Sequence, residues 1–365
     1  MKKIVAILIA VLMVAVLLVA CSTTPAASEA PASEAPASSA APASEAPAAS
    51  EAPASEAAAS EAPASDLVFA DLAYNMADVW NQYDVEAFQW AAEQKGVTVK
   101  VSDAQNDPEK QVSQAEQFIN EGVDGMVVFP CTPESAATIV RMCSEAGIPI
   151  AIENIFLSDA AAADVVGQVA CQYRDIGYAA IKYAAEKFPG CKLLYVHGGA
   201  GMGVYEDYKI GVDKALEEFK DKVTMVGLID GKWETEAAQN VTQDFITSGK
   251  SEFDIVFANN GLEATGVYNA LKDNGMEDIP IISTGGSMED LAMMQKGTEY
   301  ANMTAPVNIQ GEYSFMFLWQ TVNGVEIKEN KIPLPIIPID QTNIGEWIKW
   351  DDYQAAYDYI GGITP

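Results

Sequence analysis

From residue 67 onward, short apolar runs alternate with amphipathic stretches of helical period, and that rhythm restricts the chain to a narrow class of folds. Runs at 67–70, 97–101, 125–129, 148–152 and 165–169 read as strands, with helical stretches at 78–95, 108–122 and 133–147 between them. Asp107-Pro108 and Thr132-Pro133 each place a capping side chain before a proline at the first helical position. Gly96, Gly122 and Gly147 stand where helices stop. The alternation then restarts, with strand-like runs at 193–196, 224–229, 254–257 and 279–282 and helical stretches at 205–219, 236–246, 262–274 and 288–295. Strands that are apolar throughout are buried on both faces, which means parallel sheets clad by right-handed crossover helices. Two such series imply an α/β protein of two doubly wound, Rossmann-like lobes. Ligands in this architecture bind outside the carboxyl ends of the strands. The loops at 71–80, 130–132, 153–156, 170–174, 197–205, 230–233, 258–263 and 284–287 would therefore line a cleft between the lobes.

The N-terminal segment carries a different signal. Met1-Lys2-Lys3 precedes an uninterrupted apolar run, 4–20, that stops at Cys21. Leu18-Val19-Ala20-Cys21 matches the lipobox of bacterial lipoprotein signal peptides. The expectation is that residues 1–20 are removed and Cys21 becomes a lipidated N-terminus outside the cytoplasmic membrane. The competing reading is a single spanning anchor, because the run is near the lower length limit for crossing a bilayer. Residues 22–65 are almost wholly Ala, Ser, Pro and Glu, with six Glu and no Lys, Arg or aromatic residue. Such a stretch cannot bury enough apolar surface to offset the entropy of folding, so a disordered linker is expected over 21–65. Stretched out, it would reach on the order of 130 Å.

About 300 residues remain, enough for two domains rather than one. The chain has 21 basic and 52 acidic residues, a net charge of −31. That excess excludes a nucleic-acid partner, which needs clustered positive charge, and close adhesion to anionic lipid. Membrane association would come through the lipid anchor alone. Cys131, Cys143, Cys171 and Cys191 form no CxxC pair and there is one histidine, His197. No metal site or cofactor is expected, and the four thiols read as reduced, buried small residues.

The order of several short pieces resembles the ribose- and galactose-type periplasmic binding proteins, the type I solute-binding proteins of ABC transporters. The pieces are Gln105-Asn106-Asp107-Pro108 before a helix, Gly122-Val123-Asp124-Gly125-Met126-Val127-Val128 into a strand, Ala146-Gly147-Ile148-Pro149-Ile150 into the next, Phe257-Ala258-Asn259-Asn260, and the Gly-rich loop after Val196. The likeness runs from Leu67 to about Asp340. It implies two lobes joined by three crossovers near Cys171, Ala305 and Pro335. The N-terminal lobe would comprise 66–171 and 306–334, and the C-terminal lobe 172–305 and 335–365. It also implies hinge closure on a ligand and presentation of the closed form, as a monomer, to a membrane permease.

The same resemblance supplies candidate ligand-binding residues. Trp80 and Trp233 fall where the family places opposing aromatic plates, suited to sandwiching a flat apolar face. Asn154 takes the place of an acid that grips sugar hydroxyls, with Ile155 in place of a neighbouring arginine. Asn260 matches an amide of the second lobe. Glu206 or Tyr208 lies where many members carry an arginine, and Gly285 where many carry an acid. Tyr74 and Asn75 in the first loop, and Gln172 and Tyr173 at the first crossover, complete the set. Loss of the acid–arginine clamp disfavours an anionic ligand. A neutral sugar is the first expectation, with a nucleoside, purine-like ring or cationic amine as alternatives.

Nothing in the chain reads as a catalytic constellation. Gly198-Gly199-Ala200-Gly201-Met202-Gly203 fails the dinucleotide pattern in both registers and lacks a P-loop lysine. It reads instead as close backbone approach to a ligand. No Ser or Cys nucleophile comes with a recognisable base, and His197 reads as structural or solvated. The expectation is a binding protein and not an enzyme: the extracytoplasmic substrate-binding lipoprotein of an ABC importer, in a cell of Gram-positive type. A ligand-sensing subunit for a chemoreceptor or kinase uses the same fold and remains the alternative.

Overall fold

The computed structural model describes residues 65–361 except 201–202 and 250–251. The expected signal segment, Cys21 and nearly all of the expected linker lie outside the described residues.

The first sheet is built from β1 (Val68–Ala73), β2 (Thr98–Asp103), β3 (Gly125–Val128), β4 (Ile150–Asn154), β5 (Val165–Ala170) and, from far along the chain, β11 (Lys331–Pro333). Its order is β11-β5-β4-β3-β1-β2, and every pairing is parallel. Helices α1 (Val79–Gln94), α2 (Pro108–Glu121) and α3 (Pro133–Ala146) connect the strands. Their ends follow local chemistry. Asp107 and Thr132 cap the starts of α2 and α3, and Gly122 and Gly147 close them in the left-handed conformation.

The second sheet holds β6 (Cys191–His197), β7 (Val223–Asp230), β8 (Ile255–Ala258), β9 (Ile281–Gly285), β10 (Ala301–Thr304) and β12 (Ile337–Asp340), in the order β12-β10-β9-β8-β6-β7. Only β12 runs antiparallel, against β10. Helices α4 (Tyr173–Lys187), α5 (Val204–Glu218), α6 (Thr235–Ser248), α7 (Gly261–Asp273) and α8 (Met288–Lys296) clad this sheet. Both sheets are the doubly wound α/β arrangement expected from the alternation.

Helix α9 (Asn308–Val322) returns from the second sheet to pack on α1 and on β3, β4 and β5. It escapes the periodic pattern because it is buried almost all round. The chain thus passes between the sheets after Cys171, at 305–307, and between Leu334 and β12. The tail departs from the expected assignment of 335–365 to the second lobe. β12 joins the second sheet, but α10 (Tyr353–Tyr359) packs on α1 and α9 of the first lobe. Tyr353 and Tyr357 lie against Trp90, with ring centroids 6.2 and 5.6 Å away. A short apolar helix docks where aromatic surface is offered, and α1 offers it.

All four described cysteines are free thiols. Cys143, Cys171 and Cys191 are buried, while Cys131 is only half-buried. Among the described residues no helix is long and apolar enough to cross a membrane, and no cluster of His, Cys, Asp or Glu is placed to hold a metal ion.

Candidate functional site

The carboxyl ends of the strands carry most of the residues singled out above. In the first lobe the turn after β1 is held by its own side chains. The Tyr74 hydroxyl donates to Asp78, which also caps α1 by accepting the Trp80 N–H. Asn75 donates its N–H to Asn81 Oδ1 (3.0 Å) and accepts the Ala77 N–H. Tyr74 and Asn75 therefore shape the loop, while Trp80 stands half-buried on the first turn of α1. The Trp80 Nε1 is buried without a hydrogen-bond partner.

Asn154 ends β4 with φ +66°, a left-handed conformation that an Asn tolerates better than most side chains. Two contacts hold it there. Its N–H donates to Gln310 Oε1 of α9 (3.1 Å), and its Oδ1 accepts the Tyr173 hydroxyl (2.6 Å). Tyr173 begins α4 of the second lobe, so the latter bond joins the lobes at the first crossover. Gln172 turns back to the Ala170 carbonyl (3.3 Å).

Behind Asn154 lie three buried carboxyls: Asp71 on β1, Asp84 on α1 and Glu153 on β4. Gln310 links them to Asn154, since its Nε2 donates to Asp84 Oδ2 (3.0 Å) while its Oε1 accepts the Asn154 N–H. Burial raises all three well above the usual carboxylate range. Mutual repulsion adds to the shift, Glu153 acting on Asp71, Asp71 on Asp84, and Asp84 on Glu153.

In the second lobe, the loop after β7 is strained at Lys232 (φ +57°) and Trp233 (φ +65°). Glu263 fixes it by accepting the Trp233 N–H (3.0 Å), and also accepts the Asn259 N–H (3.2 Å). Burial pushes the Glu263 carboxyl up to about 8 against these stabilising N–H bonds. The Trp233 indole lies over Gly198, where a Cβ would overlap the ring. Here the Gly-rich loop admits a side chain of this protein against its backbone. Asn259 accepts the Tyr195 hydroxyl and the Gly198 N–H, while its Nδ2 is buried and unpartnered. Asn260 caps α7 through the Glu263 N–H (2.8 Å).

Of the pair Glu206 and Tyr208, Tyr208 is the buried one. Its hydroxyl donates to Thr284 Oγ1 (2.7 Å), which donates onward to the Asn259 carbonyl (2.6 Å). Its ring lies 5.3 Å from Tyr173 and 6.5 Å from Trp233. Glu206 stands exposed on the first turn of α5, because residues two apart on a helix face different ways. His197 is used inside the fold, with Nδ1 2.6 Å from the Gly198 carbonyl and its ring stacked on Tyr205.

Gly285 ends β9 at φ +98°. A Cβ there would lie 3.7 Å from Trp350 and 3.8 Å from Trp80, so the two lobes approach each other at this point. Trp350, from the C-terminal tail, had no pattern around it in the sequence. Gln310 was equally unmarked, and Asn259, Glu263 and Thr284 were marked only by the loops that hold them, since their bonds to Tyr195, Trp233 and Tyr208 join residues distant in the chain. The structure thus groups Trp80 with Gly285, Asn154 with Tyr173, and Tyr173 with Tyr208 and Trp233. Asn75, Gln172 and Asn260 bond within their own loops. The grouped side chains offer indole and phenol rings, the Asn154 amide and tyrosine hydroxyls, and none of them is charged.

The model of the periplasmic binding protein domain matches residues 69–326. The chain belongs to this family. A D-xylose-binding periplasmic protein of Escherichia coli is 26% identical over 254 residues, 68% of this chain and 75% of that protein. A xylitol-binding protein of Mycolicibacterium smegmatis is 23% identical over 262 residues, 71% of this chain and 74% of that protein. Among solved structures, an ABC transporter solute-binding protein from Bacillus halodurans with bound myo-inositol superposes with a TM-score of 0.69 at 25% identity. That match covers 80% of this chain and 98% of the other. These relatives are binding proteins and not enzymes, and their fold is the type I periplasmic one.

Proposed function

We propose that this protein is the substrate-binding component of an ABC importer, taking a small neutral sugar or cyclic polyol into the cleft between its lobes. The observation that carries this reading is the composition of the gathered site. Trp80 and Trp233 offer ring surface, Asn154 and the Tyr173–Tyr208–Thr284 chain offer uncharged hydrogen-bonding groups, and no cation stands among them. Aromatic surface suits the C–H faces of a sugar, and amides and hydroxyls suit its hydroxyls. An anionic ligand would find no counter-charge among them. Relatives that bind xylose, xylitol and myo-inositol support the same class.

The lipobox at Cys21 supports retention on the outer face of the cell membrane, where a lipid-anchored monomer would pass its ligand to a permease. Loss of membrane association in Cys21→Ala cells, with the protein released to the medium, is the expected result.

Thermal unfolding of the protein with D-xylose, D-ribose, D-allose, xylitol and myo-inositol tests the ligand class. A ligand at a hundred times its Kd stabilises by about 2.7 kcal/mol. At least one compound should raise the Tm by several degrees, and Trp233→Ala should remove that rise while leaving the fold intact. No rise with any of them would end the sugar reading.

A further inference from the structure

We propose that the C-terminal tail is a fourth tie between the lobes, and that Trp350, which it carries, is a wall of the ligand cleft that limits the size of the sugar. The part concerning sugar rests on the function proposed above. The tail leaves the second lobe after β12, and its α10 docks on the first lobe. Trp350 sits between these two attachments and is only 4% exposed.

Its contacts divide between the lobes. On the first lobe its ring meets Trp80 edge-on at 5.2 Å and Tyr83 at 5.7 Å. On the second its Nε1 donates to the Gly285 carbonyl at 3.3 Å. The flanking backbone is pinned as well. Asn308, fully buried just after the second crossover, donates from Nδ2 to the carbonyls of Lys349 (2.9 Å) and Asp352 (3.2 Å). An indole packed against the first lobe and hydrogen-bonded to the second resists any movement that separates Trp80 from Gly285.

The same position makes Trp350 a wall of the cleft. Gly285 has no side chain to project from the end of β9, and the nearest atoms to a Cβ there belong to Trp350 and Trp80. The tail thus delivers an indole to a strand end that offers nothing of its own. Beside it, Trp80 Nε1 is a buried donor with no acceptor in the protein, which a ligand hydroxyl can satisfy. A rigid ring beside that donor bounds the space into which a ligand can grow.

The test uses the full chain with Trp350→Ala and Trp350→Phe. The first measurement is hydrogen–deuterium exchange without ligand, followed in residues 78–84 of the first lobe and 281–287 of the second. Trp350→Ala should speed exchange at least tenfold in both segments. Trp350→Phe, which keeps a ring but loses the N–H, should do so about threefold. Acceleration confined to the first lobe, or none, overturns the tie. The second measurement is calorimetric titration with D-xylose and D-allose, a pentose and a hexose. Truncation should move the ratio of the two affinities at least tenfold toward the hexose, and Trp350→Phe should move it less in the same direction. An unchanged ratio overturns the wall. Wild-type protein that binds no sugar overturns the sugar reading and the wall with it, while the exchange data still decide the tie.

Discussion

The two lobes share a fold but bury their carboxyls in opposite ways. In the first, Asp71, Asp84 and Glu153 gather with no cation among them, and both oxygens of Asp71 lack a hydrogen-bond partner. In the second, Glu263 accepts two backbone N–H groups, and Asp290 and Glu299 share Ser283. The Ser283 Oγ is 2.7 Å from Asp290 Oδ1 and 2.5 Å from Glu299 Oε1. A hydroxyl has one proton to give, so one of the two carboxyls must itself be protonated and donate to Ser283. Burial and the neighbouring Asp290 raise Glu299 in that direction. A parallel sheet can therefore carry buried acids as neutral groups or as hydrogen-bonded ones. In the second lobe Glu263 holds the Trp233 loop directly, while in the first Asp84 reaches Asn154 only through Gln310.

Removing a held acid should have the largest effect. Glu263→Ala orphans the Trp233 and Asn259 N–H groups and frees a loop strained at Lys232 and Trp233. Each orphaned donor costs about 1–3 kcal/mol, and denaturant unfolding should show a loss at the upper end of that range. Sugar affinity should fall as well. A variant of wild-type stability would erase the contrast between the lobes. Ser283→Ala comes next, at about 1–3 kcal/mol, because it leaves two carboxyls and the Asn302 amide without their shared hydroxyl.

A pH series should sharpen the comparison further. The first-lobe acids hold protons when folded and release them in the unfolded chain near the ordinary carboxylate range. The folded state therefore binds more protons above that range, and stability must fall as pH rises. Glu263, raised to about 8, and Glu312, raised to about 9, act in the same sense. Unfolding free energy should decline from about pH 4.5 to 9, by at most about 1.4 kcal/mol per pH unit for each such proton. A flat or rising profile would contradict the neutral assignment. Asp71→Asn should give the smallest change. Because the carboxyl has no partner to lose, stability at pH 5 should shift by less than about 1 kcal/mol, and the slope above pH 5 should become shallower.

The same division separates what could be read in the chain from what could not. The caps at Asp107 and Thr132, the stops at Gly122 and Gly147, and the apolar strands follow from neighbours a few residues away. These local signals made both lobes legible. The loops that hold the candidate site were legible too, because a doubly wound sheet has only one ligand-facing end. Which side chain in a loop turns inward was harder. Glu206 and Tyr208 are two residues apart, and the choice between them depends on where Thr284 and Trp233 stand.

By itself the sequence determined two doubly wound lobes, a set of strand-end loops and the likeness to a family of binding proteins, because periodicity and capping act over short stretches of chain. Only the tertiary structure decided that Gln310 links Asp84 to Asn154, that Tyr208 meets Thr284, Tyr173 and Trp233, and that Trp350 stands between Trp80 and Gly285. Those contacts join residues far apart in the chain, and such a pairing exists only once the sheets have brought their ends together.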